Sequence, residues 1–89
     1  MKLLMIGGSG LISGHIARMA MQAGHEVWAV TRGQRKVDEG VHALVADRHD
    51  VPALRAALES ANTRWDAAFD CLCYDENDAR VDLDVLPSF

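Results

Sequence analysis

A glycine-rich stretch near the amino terminus constrains this chain more than any other feature. Residues 2–6 (KLLMI) form an apolar run, which is typical of a parallel strand covered on both faces. The run ends at Gly7, where GGSGLISG begins. Within it, G-x-x-G starts at Gly7 and G-x-G-x-x-small starts at Gly8. Both spacings predict a strand-to-helix turn that binds the pyrophosphate of a nucleotide.

The small residues of this turn have separate physical tasks. One glycine permits the tight turn, a second lets the backbone approach the phosphates, and a third small position lets helix and strand pack closely. The N–H groups of the first helical turn are expected to point at the anion. The predicted contacts here are Gly7, Gly8, Ser9, Gly10, Leu11 and Ile12. A purely structural turn remains the alternative, whereas a Walker-type P-loop is disfavoured because no Gly-Lys-Ser/Thr follows.

The rest of the chain alternates strand and helix patterns. Apolar residues at three- and four-residue spacing predict a helix over residues 11–23, and residues 27–30 predict a second strand. A third apolar run covers residues 41–46, Asp50 is placed to cap a second helix, and residues 65–74 predict a fourth strand. This order predicts an α/β, Rossmann-like, doubly wound domain. Its sheet is expected to have four mostly parallel strands in the order 3-2-1-4, by analogy with dinucleotide-binding halves.

A basic segment follows the second strand. About twenty residues after the glycines, a dinucleotide fold that prefers NAD offers an acid to the ribose, and one that prefers NADP offers arginine to the 2′-phosphate. Here Thr31, Arg32, Arg35 and Lys36 occur, and no acid appears before Asp38. NADP is therefore predicted over NAD, because a guanidinium with a second cation nearby suits a doubly charged phosphate. A solvated basic loop is the alternative.

Composition limits the remaining possibilities. With 89 residues, the chain makes one small domain, and its core is expected to need support from a partner. A net charge of −4 disfavours nucleic acid and anionic membranes as main partners. No apolar run is long enough to span a membrane and no signal peptide is recognised, so a cytoplasmic location is expected. The histidines lack metal-ligand spacing, and no metal site is predicted.

The segments IGGSGLIS and HEVWAVTRG resemble the amino terminus of the extended and atypical short-chain dehydrogenase/reductases, the NAD(P)-dependent epimerase/dehydratase group. The resemblance covers residues 1–78, implying an NAD(P)-binding Rossmann half domain there, and leaves residues 79–89 unassigned. One departure is Ser13, which stands where the family has its third glycine. The family's NAD-selecting acid would fall near Thr31, so its absence also favours NADP.

The resemblance implies further contacts. Asp47 and Arg48 match the family's segment beside the adenine. Cys71 and Leu72 match the end of the strand under the nicotinamide half, with plain core packing as the alternative.

The resemblance also implies that catalytic groups are missing. Members of this group use a tyrosine with a lysine four residues later, whereas Tyr74 is followed at that distance by Asp78. The chain therefore resembles the cofactor-binding front half of a longer oxidoreductase or epimerase/dehydratase. The alternative is a non-catalytic NAD(P)-binding or sensing module that acts through a partner. Self-association through the edge at the fourth strand or through the helix beside it, or a missing C-terminal half, is expected to cover that edge.

Overall fold

The structure is a computed structural model that describes residues 1–7, 10–33, 37 and 39–89, with the backbone only at residues 11 and 12. Strands and helices alternate along most of this length. The strands are β1 (Lys2–Ile6), β2 (Glu26–Thr31), β3 (His42–Val45) and β4 (Ala67–Asp70). The helices are α1 (Leu11–Gln22), α2 (Val51–Ser60) and α3 (Glu76–Val85), and a 3-10 turn covers Leu86–Ser88.

The four strands form one sheet in the order β3-β2-β1-β4, and all three neighbouring pairs are parallel. The predicted strand order is confirmed. From β1 the chain adds β2 and then β3 on one side of β1. It then crosses back and adds β4 on the opposite side of β1. This reversal next to β1 creates a crevice at the carboxyl ends of the strands, where ligands of open α/β sheets bind.

Alternating side chains of the central strands build a core on each face of the sheet. On one face, Leu4 and Trp28 pack with Leu54 and Leu58 of α2. On the other face, Met5 and Val27 pack with Ala17 of α1. Such strands have no solvent side, which explains the continuous apolar runs of β1 and β2.

Local signals position the helices as their sequences predict. Gly24 follows α1 with φ +90°, a left-handed conformation that favours glycine. Asp50 caps α2 by accepting a hydrogen bond from the N–H of Ala53 at 3.2 Å, and Pro52 lies in the first turn. Gly24 thus ends α1 at the amino end of β2, and Asp50 begins α2 at the carboxyl end of β3.

The segment without a sequence assignment forms most of α3. Asp75 caps this helix by accepting a hydrogen bond from the N–H of Asp78 at 2.8 Å. Val85 at its end is fully buried in the same core as Leu4 and Leu54. Residues 79–89 therefore pack against the sheet rather than extending from it.

The fourth strand is shorter than its sequence predicts and lies at an edge. It covers Ala67–Asp70 instead of residues 65–74, and it pairs with β1. Phe69 keeps 48% of its surface exposed there. Within the described parts of the chain, no helix is long and apolar enough to cross a membrane.

Candidate functional site

The glycine turn lies where β1 ends. Gly7 has φ +105°, and its N–H donates a 2.7 Å hydrogen bond to the carbonyl of Val30 in β2. A Cβ added to Gly7 would lie 3.3 Å from the Cβ of Cys71 and 3.4 Å from the Cγ of Leu72. Both the backbone conformation and the narrow space therefore require glycine at this position.

Gly10 marks the start of α1. Its carbonyl accepts the first helical hydrogen bond from the N–H of Gly14 at 2.8 Å, and its own N–H donates to the Oγ of Ser13 at 3.1 Å. The first N–H groups of any helix lack acceptors within it, so the backbone at Leu11 and Ile12 presents donors at the positive end of the helix dipole. The serine that replaces the family's third glycine thus bonds within the turn.

The end of β2 lies beside this turn. Thr31 is buried, and its Oγ1 accepts a hydrogen bond from the N–H of Gly33 at 3.2 Å. Arg32 is exposed to solvent. Gly33 has φ +78°, and an added Cβ would lie 3.3 Å from the Cγ1 of Val45 in β3. The hydroxyl at position 31 is thus used locally, while the charge at position 32 faces outward.

Asp47 and Arg48, which follow β3, differ in their exposure to solvent. The carboxylate of Asp47 is half exposed and accepts a hydrogen bond from the N–H of His49 at 2.9 Å. Arg48 is only 4% exposed. Its guanidinium points into a group of carboxylates, so its side chain is engaged inside the protein.

These residues, Arg48, Asp70, Asp78 and Asp82, are called the Arg48 cluster below. The Nη1 of Arg48 forms an ion pair with Asp70. Its Nη2 donates to the carbonyl of Asp78 at 2.8 Å and to the Oδ1 of Asp82 at 3.1 Å. The Nε has no hydrogen-bond acceptor among the described residues, and the Oδ1 of Asp78 lies 3.6 Å away. One cation therefore faces three carboxylates in a largely buried space.

The pKa values of Asp82 and Asp70 are shifted in opposite directions. Burial, together with the hydrogen bond and the charge of Asp70, raises the pKa of Asp82 to about 6. Burial also acts to raise the pKa of Asp70. Hydrogen bonds from Asp82, Arg48 and the N–H of Leu72 outweigh burial and hold the pKa of Asp70 below its usual range. The pair thus holds a proton mainly on Asp82 in mildly acidic solution.

We expect this pair to make stability depend on pH between about 4 and 6. Asp82 binds its proton more tightly in the folded than in the unfolded chain, so the free energy of unfolding falls as the pH rises through this window. The loss should be about 1–2 kcal/mol, because Asp82 is partly solvated. The depressed pKa of Asp70 acts oppositely and reduces stability only at lower pH. Urea unfolding of the wild type and of Asp82→Asn from pH 4 to 8 measures the effect of Asp82.

The matched control for that experiment is Asp84→Asn. Asp84 lies on the same helix, but its carboxylate is exposed and pairs with Arg55 on the surface. We expect Asp84→Asn to keep the wild-type pH profile and Asp82→Asn to flatten it. Equal slopes for the wild type and Asp82→Asn would show that the proton is not held at Asp82.

Two residues predicted at the nicotinamide side lie beside the glycine turn. The N–H of Cys71 donates to the carbonyl of Ile6 at 2.9 Å, and the N–H of Leu72 donates to the Oδ1 of Asp70 at 2.8 Å. Burial raises the pKa of the Cys71 thiol, and the charge of Asp70 acts in the same direction. Cys71 is therefore a neutral, half-buried thiol.

A second group of possible ligands lies next to it. Ligand atoms of Asp70, Cys73 and Asp82 come within 4.8 Å of one another, but Arg48 already supplies a cation to both carboxylates.

Most of the predicted contacts lie at the end of the sheet where the strands have their carboxyl ends. The residues at or just beyond these ends are Gly7, the backbone from Gly10 to Ile12, Thr31, Arg32, Asp47, Cys71 and Leu72. The predicted contacts Gly8, Ser9, Arg35 and Lys36 lie outside the described residues. Sequence reasoning did not find Asp78 and Asp82, although their four-residue spacing on a helix was a usable signal.

A sequence profile of the NAD dependent epimerase/dehydratase family matches residues 3–79. The chain belongs to this family. The match includes the glycine turn, the end of β2 and the Arg48 cluster up to Asp78. A comparison with curated protein sequences gives no significant match.

Solved structures show the fold of this family member in longer chains. A Methylobacillus flagellatus protein described as an NAD-dependent epimerase/dehydratase superimposes with a TM-score of 0.79 at 24% identity, over 98% of this chain and 33% of its own. An exported protein from Burkholderia pseudomallei gives 0.71 at 25% identity, over 98% and 42%. The Bordetella bronchiseptica enzyme WbmH, solved with NAD+, gives 0.64 at 16% identity, over 85% and 27%. This family member spans about a third of the length of these proteins.

Proposed function

We propose that this chain is the dinucleotide-binding part of an oxidoreductase or epimerase/dehydratase and that it binds NADP in preference to NAD. The observation that carries the proposal is the glycine turn. Its backbone leaves β1 at Gly7 in a left-handed conformation that favours glycine, and α1 begins at Leu11 with N–H groups that have no acceptor within the helix. Such a helix start suits the pyrophosphate of a dinucleotide.

The preference for NADP rests on the end of β2. An acid that bonds the ribose hydroxyls is absent from Thr31 to Gly33, and the Thr31 hydroxyl already accepts the N–H of Gly33. The side chain that extends outward there is Arg32. A guanidinium bonds a phosphate through two parallel donors, so Arg32 is suited to the 2′-phosphate.

Other residues of the chain would hold the remainder of the cofactor. We propose that Asp47, half exposed after β3, contacts the adenine side, and that Cys71 and Leu72, which border Gly7, line the crevice. When bound, the nicotinamide accepts or supplies a hydride. The chain's own residues bind the phosphates, orient the dinucleotide and shield one side of it from water.

We propose that the groups acting on substrate lie outside these 89 residues. Tyr74 has no lysine four residues later, and Asp78 at that position is buried in the Arg48 cluster. The proposal is supported by the length of the structural neighbours, of which this chain covers 27–42%. A further segment or partner chain would then pack along the exposed edge of β4.

A parallel titration with NADPH and NADH tests the binding proposal. We expect the wild type to bind NADPH about tenfold more tightly, which corresponds to about 1.4 kcal/mol. Arg32→Ala should remove this difference. Arg64→Ala is the matched control, because Arg64 is an exposed arginine just before β4, at the opposite end of the strands.

The two parts of the proposal fail in different ways. Equal affinities for NADPH and NADH, unchanged in Arg32→Ala, would contradict the preference for NADP and leave dinucleotide binding intact. A folded chain that binds neither nucleotide would contradict the proposed function itself.

A further inference from the structure

The Arg48 cluster connects the two edges of the sheet. Arg48 follows β3 at one edge, and its ion-pair partner Asp70 is the last residue of β4 at the other edge. The same guanidinium bonds the carbonyl of Asp78 and the carboxylate of Asp82 on α3. One buried side chain therefore joins three segments that lie far apart in sequence, just below the crevice at the carboxyl ends.

A short chain of contacts leads from this cluster to the glycine turn. Asp70 accepts the N–H of Leu72 through Oδ1 at 2.8 Å, while Arg48 binds its Oδ2. Leu72 and Cys71 then border the narrow space at Gly7, where an added Cβ would come within 3.3–3.4 Å of both. The position of these residues against the turn thus depends on the orientation of the Asp70 carboxylate.

We propose that Arg48 is a positioning residue for the glycine turn, that it acts through Asp70 and Leu72, and that ionisation of Asp82 loosens its hold. The inference rests on the proposed dinucleotide binding for its effect on affinity, but not for its effect on the turn. It assigns Arg48 a role different from direct contact with the adenine, since its guanidinium is enclosed by carboxylates.

The charges around Asp82 set the direction of the pH effect. The groups that face it or its cluster are Asp70 from β4, Cys73 before α3, Asp78 on α3, and Arg48 and His49 after β3. On the neighbouring surface, Arg55 of α2 is paired with Asp84. When Asp82 ionises, Arg48 must balance one more carboxylate, which weakens its hold on Asp70. Dinucleotide binding is therefore expected to weaken as the pH rises through about 6.

The test compares Arg48→Lys and Asp82→Asn with the wild type and with the control Arg80→Lys. Lysine keeps the charge but loses the planar fork that bonds Asp70, Asp78 and Asp82 together. Arg80 makes an exposed pair with Glu76 on α3 and contacts no part of the cluster in the described structure. Two quantities are measured, namely NADPH affinity from pH 5 to 8 and amide hydrogen exchange at Gly7 and Leu72, with Val27 in β2 as the reference.

We expect Arg48→Lys to weaken NADPH binding by about five- to tenfold and to speed exchange at Gly7 and Leu72 relative to Val27 by at least a similar factor. Asp82→Asn should bind NADPH about as tightly as the wild type at pH 5 and more tightly than the wild type at pH 8. The 2′-phosphate itself titrates near pH 6, so the comparison uses the difference between the two proteins at each pH.

Three results would overturn parts of the account, and each is distinct. Unchanged exchange at Gly7 and Leu72 in folded Arg48→Lys would overturn the positioning role, whether or not the nucleotide binds. Parallel pH profiles for the wild type and Asp82→Asn would remove the proton dependence. If the wild type binds no dinucleotide, the proposed function fails, and the exchange data alone decide whether Arg48 positions the turn.

Discussion

Replacement of Arg48 with methionine is expected to lower the free energy of unfolding by about 3–5 kcal/mol. Methionine fills a similar volume but leaves Asp70, Asp78 and Asp82 without their shared cation in a largely buried space. For a domain of this size, whose total stability is about 5–10 kcal/mol, the loss removes a large part of the total. Urea unfolding at pH 7 measures it.

The control and a compensating variant make this prediction specific. Arg80→Met removes an exposed pair with Glu76 and should cost less than about 1 kcal/mol. Adding Asp70→Asn and Asp82→Asn to Arg48→Met removes most of the unpaired charge and should restore part of the stability. A cost for Arg48→Met no greater than that for Arg80→Met would show that the cluster does not form in the protein.

Gly7→Ala is expected to lower the free energy of unfolding by about 2–4 kcal/mol and to abolish dinucleotide binding. The φ of +105° is unfavourable for alanine, and the new methyl group would press on Cys71 and Leu72. Moving those residues would also displace the turn that is proposed to contact the pyrophosphate. Thermal unfolding and an NADPH titration of the same protein measure the two effects.

Gly24→Ala separates backbone strain from close contact. Gly24 has a comparable φ of +90°, but a Cβ there would have no atom within 4 Å among the described residues. It should therefore show the conformational cost alone, about 1 kcal/mol, and keep NADPH affinity. Equal costs at the two glycines would mean that the contact of Gly7 with Cys71 and Leu72 carries no energy.

The strand order and the glycine turn could be predicted because their signals are local. Each strand is a short apolar run, and the turn is a spacing of small residues that follows β1 directly. The βαβ handedness rule then restricts the order of the strands to few possibilities. Gly7 confirms this reasoning, because its conformation and its close neighbours both require the residue that the pattern contains.

The Arg48 cluster was not predictable in the same way, because its contacts join residues 22 to 34 positions apart. Asp82 and Asp84 also interrupt the apolar pattern of α3, so periodicity gave no firm helix assignment there. In the structure, Asp78 and Asp82 are buried or partly buried beside Arg48. From sequence alone, each charged residue is predicted to be exposed, because its burial depends on a distant partner that the sequence does not identify.

The sequence pattern also predicted a longer β4 than the structure contains. The apolar composition of residues 65–74 predicts a longer strand, but the chain turns after Asp70, whose carboxylate accepts the N–H of Leu72. This side-chain bond holds the backbone in a turn directly after the last ladder bond, from the N–H of Cys71 to the carbonyl of Ile6. Cys73, within the predicted strand, is exposed after this turn.

The most direct test of dinucleotide binding at the glycine turn is an NMR titration of the isotope-labelled chain with NADPH. The account predicts that the amide signals of Gly7, Gly10, Leu11, Ile12 and Arg32 shift together and saturate with one affinity. The amides of Ala56 and Glu59 in α2, on the other face of the sheet, should stay in place. A folded protein whose glycine-turn amides do not move at saturating NADPH would contradict the account.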